Sequence, residues 1–254
     1  MARIWMCILT GLFLWGSVVT AKAAEVVVFC PGAVRAVVTE LSKDFTKETG
    51  NAIKFVSGTA GAMQQKAAAG EPGDVVMVTA GGMDDLVKKG AVVAGSPVNL
   101  GKVGVGVAVR SGAKKPDVST PEALKKVLLD AKSLTYANPS GGAQSGIHFA
   151  KVLQQLGIAD QVKGKTTLES GGPVGLAKVA KGEIELGVAQ MSEIAEVKGV
   201  SAAGPLPPSL QNKLTFTAGI LAKSKSPEAA SSFIRFITSP SAKAKFKAGG
   251  FETE

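Results

Sequence analysis

Apolar residues return along this chain in two alternating rhythms. Short β-branched runs such as Val26-Val27-Val28-Phe29, Ile53-Lys54-Phe55-Val56 and residues 75–78 read as buried strands. Between them, apolar side chains recur every three or four positions. Val34, Val37, Val38, Leu41 and Phe45 make one such stripe, which Gly50 stops. Residues 60–69, closed by Gly70, and the stripe Met83, Leu86 and Val87 predict two more helices. This β-α-β-α-β-α order predicts an α/β fold with largely parallel sheets.

The second half repeats the theme after a glycine-rich extended run over 101–109, which reads as a crossover strand into a second lobe. Thr120 then caps a helix with Pro121 at its first position and Leu124, Val127 and Leu128 along one face. Strands over Leu134–Ala137 and Leu186–Gln190 and helices over 145–156 and 173–181 follow. The Gly204-Pro205-Leu206-Pro207-Pro208 loop cannot be helical. Residues 214–221 read as a return strand, and Ser226-Pro227 and Ser239-Pro240 open the last two helices. Two crossings, near 103–108 and 213–220, divide the chain into a first lobe over 24–104 and 213–254 and a second over 105–212. No internal repeat of solenoid length is visible.

The N-terminus changes how the composition reads. Arg3, an apolar run from Ile4 to Val19 and the small-residue site Ala21-Lys22-Ala23 have the layout of a secretory signal peptide over residues 1–23. Export to the periplasm is therefore expected. Cleavage removes Trp5, Trp15 and Cys7, leaving Cys30 without a disulfide partner. It also removes Arg3 and Lys22, which takes the net charge of +9 to +7. The remaining lysines lie at helix-surface spacing with no aromatic residues among them, which argues against a nucleic-acid partner. A basic surface suits the attraction of a small anion to a monomeric chain.

Signatures of enzymes are mostly missing. One histidine and one mature cysteine cannot build a His/Cys zinc site, so no metal is expected. There is no G-x-S-x-G elbow and no Walker loop. Gly104-Val105-Gly106 lacks the third glycine of a dinucleotide fingerprint, and no cofactor is expected. What recurs is a strand, a tight small-residue turn and a helix start: residues 30–33, 57–61, 140–146 and 170–173. Helix starts carry unpaired N–H groups and the positive end of a dipole, and several converging on one cleft bind an anion without arginine. The ligand candidates are Gly32, Ala33, Thr59, Ala60, Ser145, Gly146, Gly172 and Val174, with Thr59 and Ser145 adding hydroxyls.

These residues resemble the molybdate-type periplasmic solute-binding proteins of ABC uptake systems along nearly the whole mature chain. The similar segments are residues 57–61, residues 69–76 with their Gly-x-Pro-x-Asp-Val pattern, residues 140–148, Leu186–Gln190 and the Ser239-Pro240 start. The resemblance implies a two-lobed type II binding fold with two hinge crossover strands, a small anionic ligand and an inner-membrane ABC permease as partner. Two positions depart from it. Pro31-Gly32 stands where molybdate binders place a serine, and Gln190, a further ligand candidate, stands where they often have tyrosine. Tetrahedral selectivity is thereby in question, and a larger carboxylate-bearing anion is an alternative. The chain is also similar to periplasmic aconitate isomerases on the same scaffold. An isomerase would need a general acid/base, for which His148 and Glu193 are candidates. Cys30 reads as a small buried apolar residue.

Overall fold

The computed structural model describes residues 23–253. The expected signal peptide over 1–23 lies almost entirely outside the described residues. Among the described residues, no helix is long and apolar enough to cross a membrane.

Two five-stranded sheets carry the fold. In the first, β1 (Glu25–Pro31) pairs in parallel with β2 (Ala52–Gly58) and β3 (Val75–Thr79), and β10 (Leu214–Ile220) runs antiparallel between β3 and β4 (Val98–Val103). In the second, β6 (Leu134–Ala137) pairs in parallel with β7 (Thr166–Glu169) and β8 (Leu186–Gln190). There β5 (Val105–Arg110) runs antiparallel between β8 and β9 (Val200–Pro205). The expectation of largely parallel sheets therefore needs correcting to mixed ones. A strand entering from the other lobe arrives from the opposite end and must run against its neighbours.

The helical stripes land where the spacing puts them. Val34, Val37, Val38, Leu41 and Phe45 are all buried on α1 (Gly32–Thr49), which Gly50 ends in the left-handed conformation with its N–H on Thr46 O. Phe45 meets Phe233 of α9 (Pro227–Ile237) edge to face at 5.1 Å. α2 (Ala60–Ala68) and α3 (Ala80–Lys88) cover the other face of the sheet with Met63, Met83 and Leu86. In the second lobe, α4 (Pro121–Asp130) and α5 (Gln144–Gln155) bury Leu124, Leu128, Phe149 and Val152 against one face. A short α6 (Ala159–Lys163) follows α5. The other face is covered by α7 (Gly172–Lys181) and α8 (Met191–Glu196), while α10 (Pro240–Ala248) closes the first lobe.

The first crossing is shorter than the sequence pattern predicts, and the return crossing lies earlier in the chain. The run over 101–109 is two strands in different sheets, broken at Gly104. The return crossing occupies residues 206–213, because β10 already belongs to the first sheet. Gln211 joins the two crossings: its side chain accepts from Val105 N at 2.9 Å and donates to Val105 O at 2.8 Å.

Candidate functional site

β1, β2, β6, β7 and β8 all end at the same place, the crevice at the strands' carboxyl ends. A cavity of about 350 Å³ lies there between the lobes. The first lobe lines it with Cys30, Gly32, Ala33, Ser57, Thr59 and Ala60. The second contributes Ser145, Gly172, Pro173, Val174, Gln190 and Glu193. Of the residues singled out from sequence, all line the cavity except Gly146 and His148.

Three of the helix starts at the cavity carry no side-chain cap. Pro31 before α1, Ala143 before α5 and Gly171 before α7 make no capping hydrogen bond, and none of these helices has an acidic residue in its first turn. Away from the cavity, Thr79, Thr120 and Ser239 cap α3, α4 and α10 in the ordinary way. The first-turn N–H groups of α1, α5 and α7 are thus left to whatever enters the cleft.

Side chains bring both donors and acceptors to the wall. Ser145 is buried at the cavity wall. Gln190, only 3% exposed, has an Oε1 with no hydrogen-bond partner. A buried amide oxygen left unpaired is costly, and a donor beside it, such as a water or a ligand hydroxyl, would relieve that cost. Arg35 also lines the cavity, one turn into α1, with its guanidinium 4.6 Å over the Phe55 ring. The sequence reading built the site without arginine. A cation at the fourth position of the helix behind the Pro31-Gly32 turn was the signal available.

Thr59 lines the cavity and also joins the two lobes. It accepts from Ala62 N at 3.1 Å, capping α2, and donates to Gly141 O in the second lobe. Its one hydrogen is given to the opposite lobe and one of its lone pairs to the helix. Gly146 sits one step behind the wall, where a Cβ would come 1.8 Å from Ala137 O, so α5 packs directly on the end of β6. His148 lies on the hinge side, its Nε2 2.8 Å from Leu210 O. Neither is brought to the cavity.

Glu193 is the unusual group. It is 6% exposed, and its Oε2 accepts from Gln190 N at 3.2 Å. Burial pushes its carboxyl up to about 7. Its oxygens occupy the space that side chains would need at Gly32 and Gly172, the first residues of α1 and α7. Cys30, fully buried, has its thiol pushed up to about 12 by burial, in keeping with an inert packing residue. Among the described residues, no three His, Cys, Asp or Glu side chains gather as a metal-binding group.

Comparison with known proteins gives the same architecture. The model of the bacterial extracellular solute-binding protein family matches residues 26–252. An aconitate isomerase from a Pseudomonas species is 31% identical over 221 residues, covering 85% of this chain and 82% of that protein. The molybdate-binding protein ModA of Azotobacter vinelandii is 31% identical over 241 residues, 91% of each chain. The solved periplasmic molybdate-binding protein of Azotobacter vinelandii superposes with a TM-score of 0.76 at 21% identity, over 91% of this chain and 99% of that one.

Proposed function

The chain belongs to the bacterial extracellular solute-binding protein family, and we propose that it captures a small anion in the cleft between its lobes. The observation that carries this reading is the convergence of three uncapped helix starts on one cavity. Helix N-termini bind negative charge through backbone donors and dipole together. In this role the chain works in the periplasm and delivers its ligand to an inner-membrane ABC permease. Its lobes, over 24–104 with 213–254 and over 105–212, move about the crossings at Gly104 and residues 206–213. The anion is a molybdate-like oxyanion or an organic carboxylate. Gln190 and the Pro31-Gly32 turn favour the carboxylate.

A thermal-shift screen tests this. Molybdate, tungstate, sulfate, phosphate and di- and tricarboxylates are offered to the purified chain, and a true ligand at 100 times its Kd adds about 2.7 kcal/mol of stability. A chain that none of these anions stabilises is not the receptor proposed.

Glu193 favours a second reading. A buried carboxyl that titrates near neutrality at the wall of an anion cleft can take a proton from one carbon of an allylic tricarboxylate and return it to another. Such a step would isomerise aconitate, and the Pseudomonas relative is named an aconitate isomerase. Incubation with cis- or trans-aconitate, followed by chromatography of both isomers, decides it. Interconversion lost in Glu193→Gln and kept in His148→Ala supports the isomerase, and no interconversion leaves the receptor.

A further inference from the structure

We propose that Glu193 is a ligand-binding group of the cleft: it enters the complex protonated and donates its hydrogen to an oxygen of a fully ionised anion, so ligand and one proton bind together. This rests on the anion-capture reading and adds to it the proton that accompanies the anion.

The geometry makes the carboxyl part of the binding surface rather than a bystander. A Cβ on Gly32 would lie 2.6 Å from Glu193 Oε1, and a Cβ on Gly172 would lie 2.1 Å from Oε2. The carboxyl is therefore wedged between the first residues of α1 and α7, one uncapped helix start from each lobe. A third contact, from Gln190 N to Oε2, orients it along the cavity wall. Any anion reaching the donors of both helices meets this group.

Two negative charges side by side in a desolvated site repel, and the neighbourhood offers little to offset them. Among the described residues Glu193 forms no ion pair. Arg35 of α1 lines the same cavity, and its field acts on Cys30 and Glu196. Cys30 of β1 lines the same cavity, and Glu196 on α8 raises the Glu193 carboxyl further. β8 and β9 carry no titratable side chain, and Arg110 of β5 lies at the far end beside Gly182. On α7, Lys178 is paired with Glu169 at 2.6 Å, and Lys181 lies three residues further along, at the helix's far end. One shared proton turns the repulsion into an O–H···O⁻ bond, the stronger kind. Burial has already moved this carboxyl far enough for such sharing near neutral pH.

The test uses molybdate and trans-aconitate, both fully ionised between pH 7 and 9.5, so the ligand's own titration does not intrude. Affinity is measured by calorimetry for the wild type and Glu193→Gln across that range. Binding to the wild type should weaken about tenfold per pH unit once above about pH 8. Glu193→Gln, neutral throughout, should bind with no such slope and more tightly than the wild type at pH 9. Calorimetry of the wild type in two buffers of different ionisation enthalpy, at pH 8.5, should register uptake of close to one proton. That measurement stands even if the variant fails to fold. Binding without slope or uptake, or a slope that persists in Glu193→Gln, overturns the inference and leaves anion capture standing. A wild type that binds neither probe at any pH overturns both.

Discussion

Gly61 and Gly142 stand face to face across the interlobe cleft, and no side chain fits between them. The Gly61 amide donates to Gly142 O at 3.1 Å. A Cβ on Gly61 would lie 2.7 Å from Gly142 Cα, and one on Gly142 would lie 2.8 Å from Gly61 Cα. Beside them the Thr59 hydroxyl donates to Gly141 O. The start of α2 is thus bolted to the 3-10 turn over Pro139–Gly141 by backbone contact. Gly61 is the second residue of α2, where alanine costs nothing to the helix itself. Gly61→Ala should therefore hold the lobes apart without unfolding either. We expect a larger radius of gyration in scattering, at least tenfold weaker anion binding, and an unfolding midpoint close to the wild type. Tight binding with an unchanged scattering curve would show that this contact does not govern closure.

Glu193 also sets a pH dependence of the ligand-free fold. Its carboxyl is raised from an ordinary 4.5 to about 7, first by burial. Between those values the folded state holds a proton that the unfolded chain has released, so stability falls as pH rises from about 4.5 to about 7 and then levels. A shift of that size corresponds to roughly 3 kcal/mol. Relative to the wild type, Glu193→Gln should gain about that much in urea unfolding at pH 8 over its value at pH 4.5. Equal differences at the two pH values would contradict the assignment.

The strands and helices of the first lobe were legible because β1 and β3 are buried on both faces and α1 carries a regular stripe. The second lobe hid more. β7 is a half-exposed edge strand, Thr-Thr-Leu-Glu, and β9 is built mostly of Ser, Ala and Gly, so neither has the β-branched run that marks a strand. The six-residue α8 is too short to show a period, yet it carries Glu193. The four helix starts of the site were legible from their small-residue turns. The committed state of the Thr59 hydroxyl and the hinge position of His148 were not, because each depends on a partner more than 60 residues away.

The Gly-x-Pro-x-Asp-Val pattern over residues 70–75, conspicuous in the sequence, has a structural cause in Asp74. Its carboxylate is 4% exposed and accepts from Val27 N at 2.8 Å, Ser224 Oγ at 2.6 Å, Lys225 N at 3.0 Å and Ser226 N at 3.1 Å. It ties β1 to the turn between β10 and α9, where the returning chain rejoins the first lobe. Asp74→Ala leaves the Val27 and Lys225 N–H groups without their acceptor, at about 1–3 kcal/mol each where they stay dry, while Ser226 N keeps Ser224 Oγ at 3.2 Å. A loss of about 2 kcal/mol or more in urea unfolding is expected, with the lobe-2 turns and the cavity unaffected. A loss under 1 kcal/mol would mean water replaces the carboxylate freely.

Ser145 and Thr59 separate ligand contact from lobe closure, although the sequence gives them the same appearance. Each carries a hydroxyl at a helix start that lines the cavity. Thr59 spends its hydroxyl on Ala62 N and Gly141 O. Ser145, 5% exposed as the second residue of α5, makes no side-chain hydrogen bond among the described residues and is free to meet a ligand. Losing one hydroxyl bond to a charged ligand costs about 1.5–3 kcal/mol, or roughly 10- to 150-fold in Kd. Ser145→Ala should therefore weaken anion binding by that factor while ligand-free stability and scattering stay as in the wild type. Thr59→Val should lose a cap, about 1 kcal/mol of stability, and weaken binding only together with an opening of the lobes. The two variants are compared by calorimetry, urea unfolding and scattering on the same preparations. If Thr59→Val weakens binding with the lobes still shut, its hydroxyl reaches the ligand after all. If Ser145→Ala binds as the wild type does, the α5 start acts through its backbone amides alone.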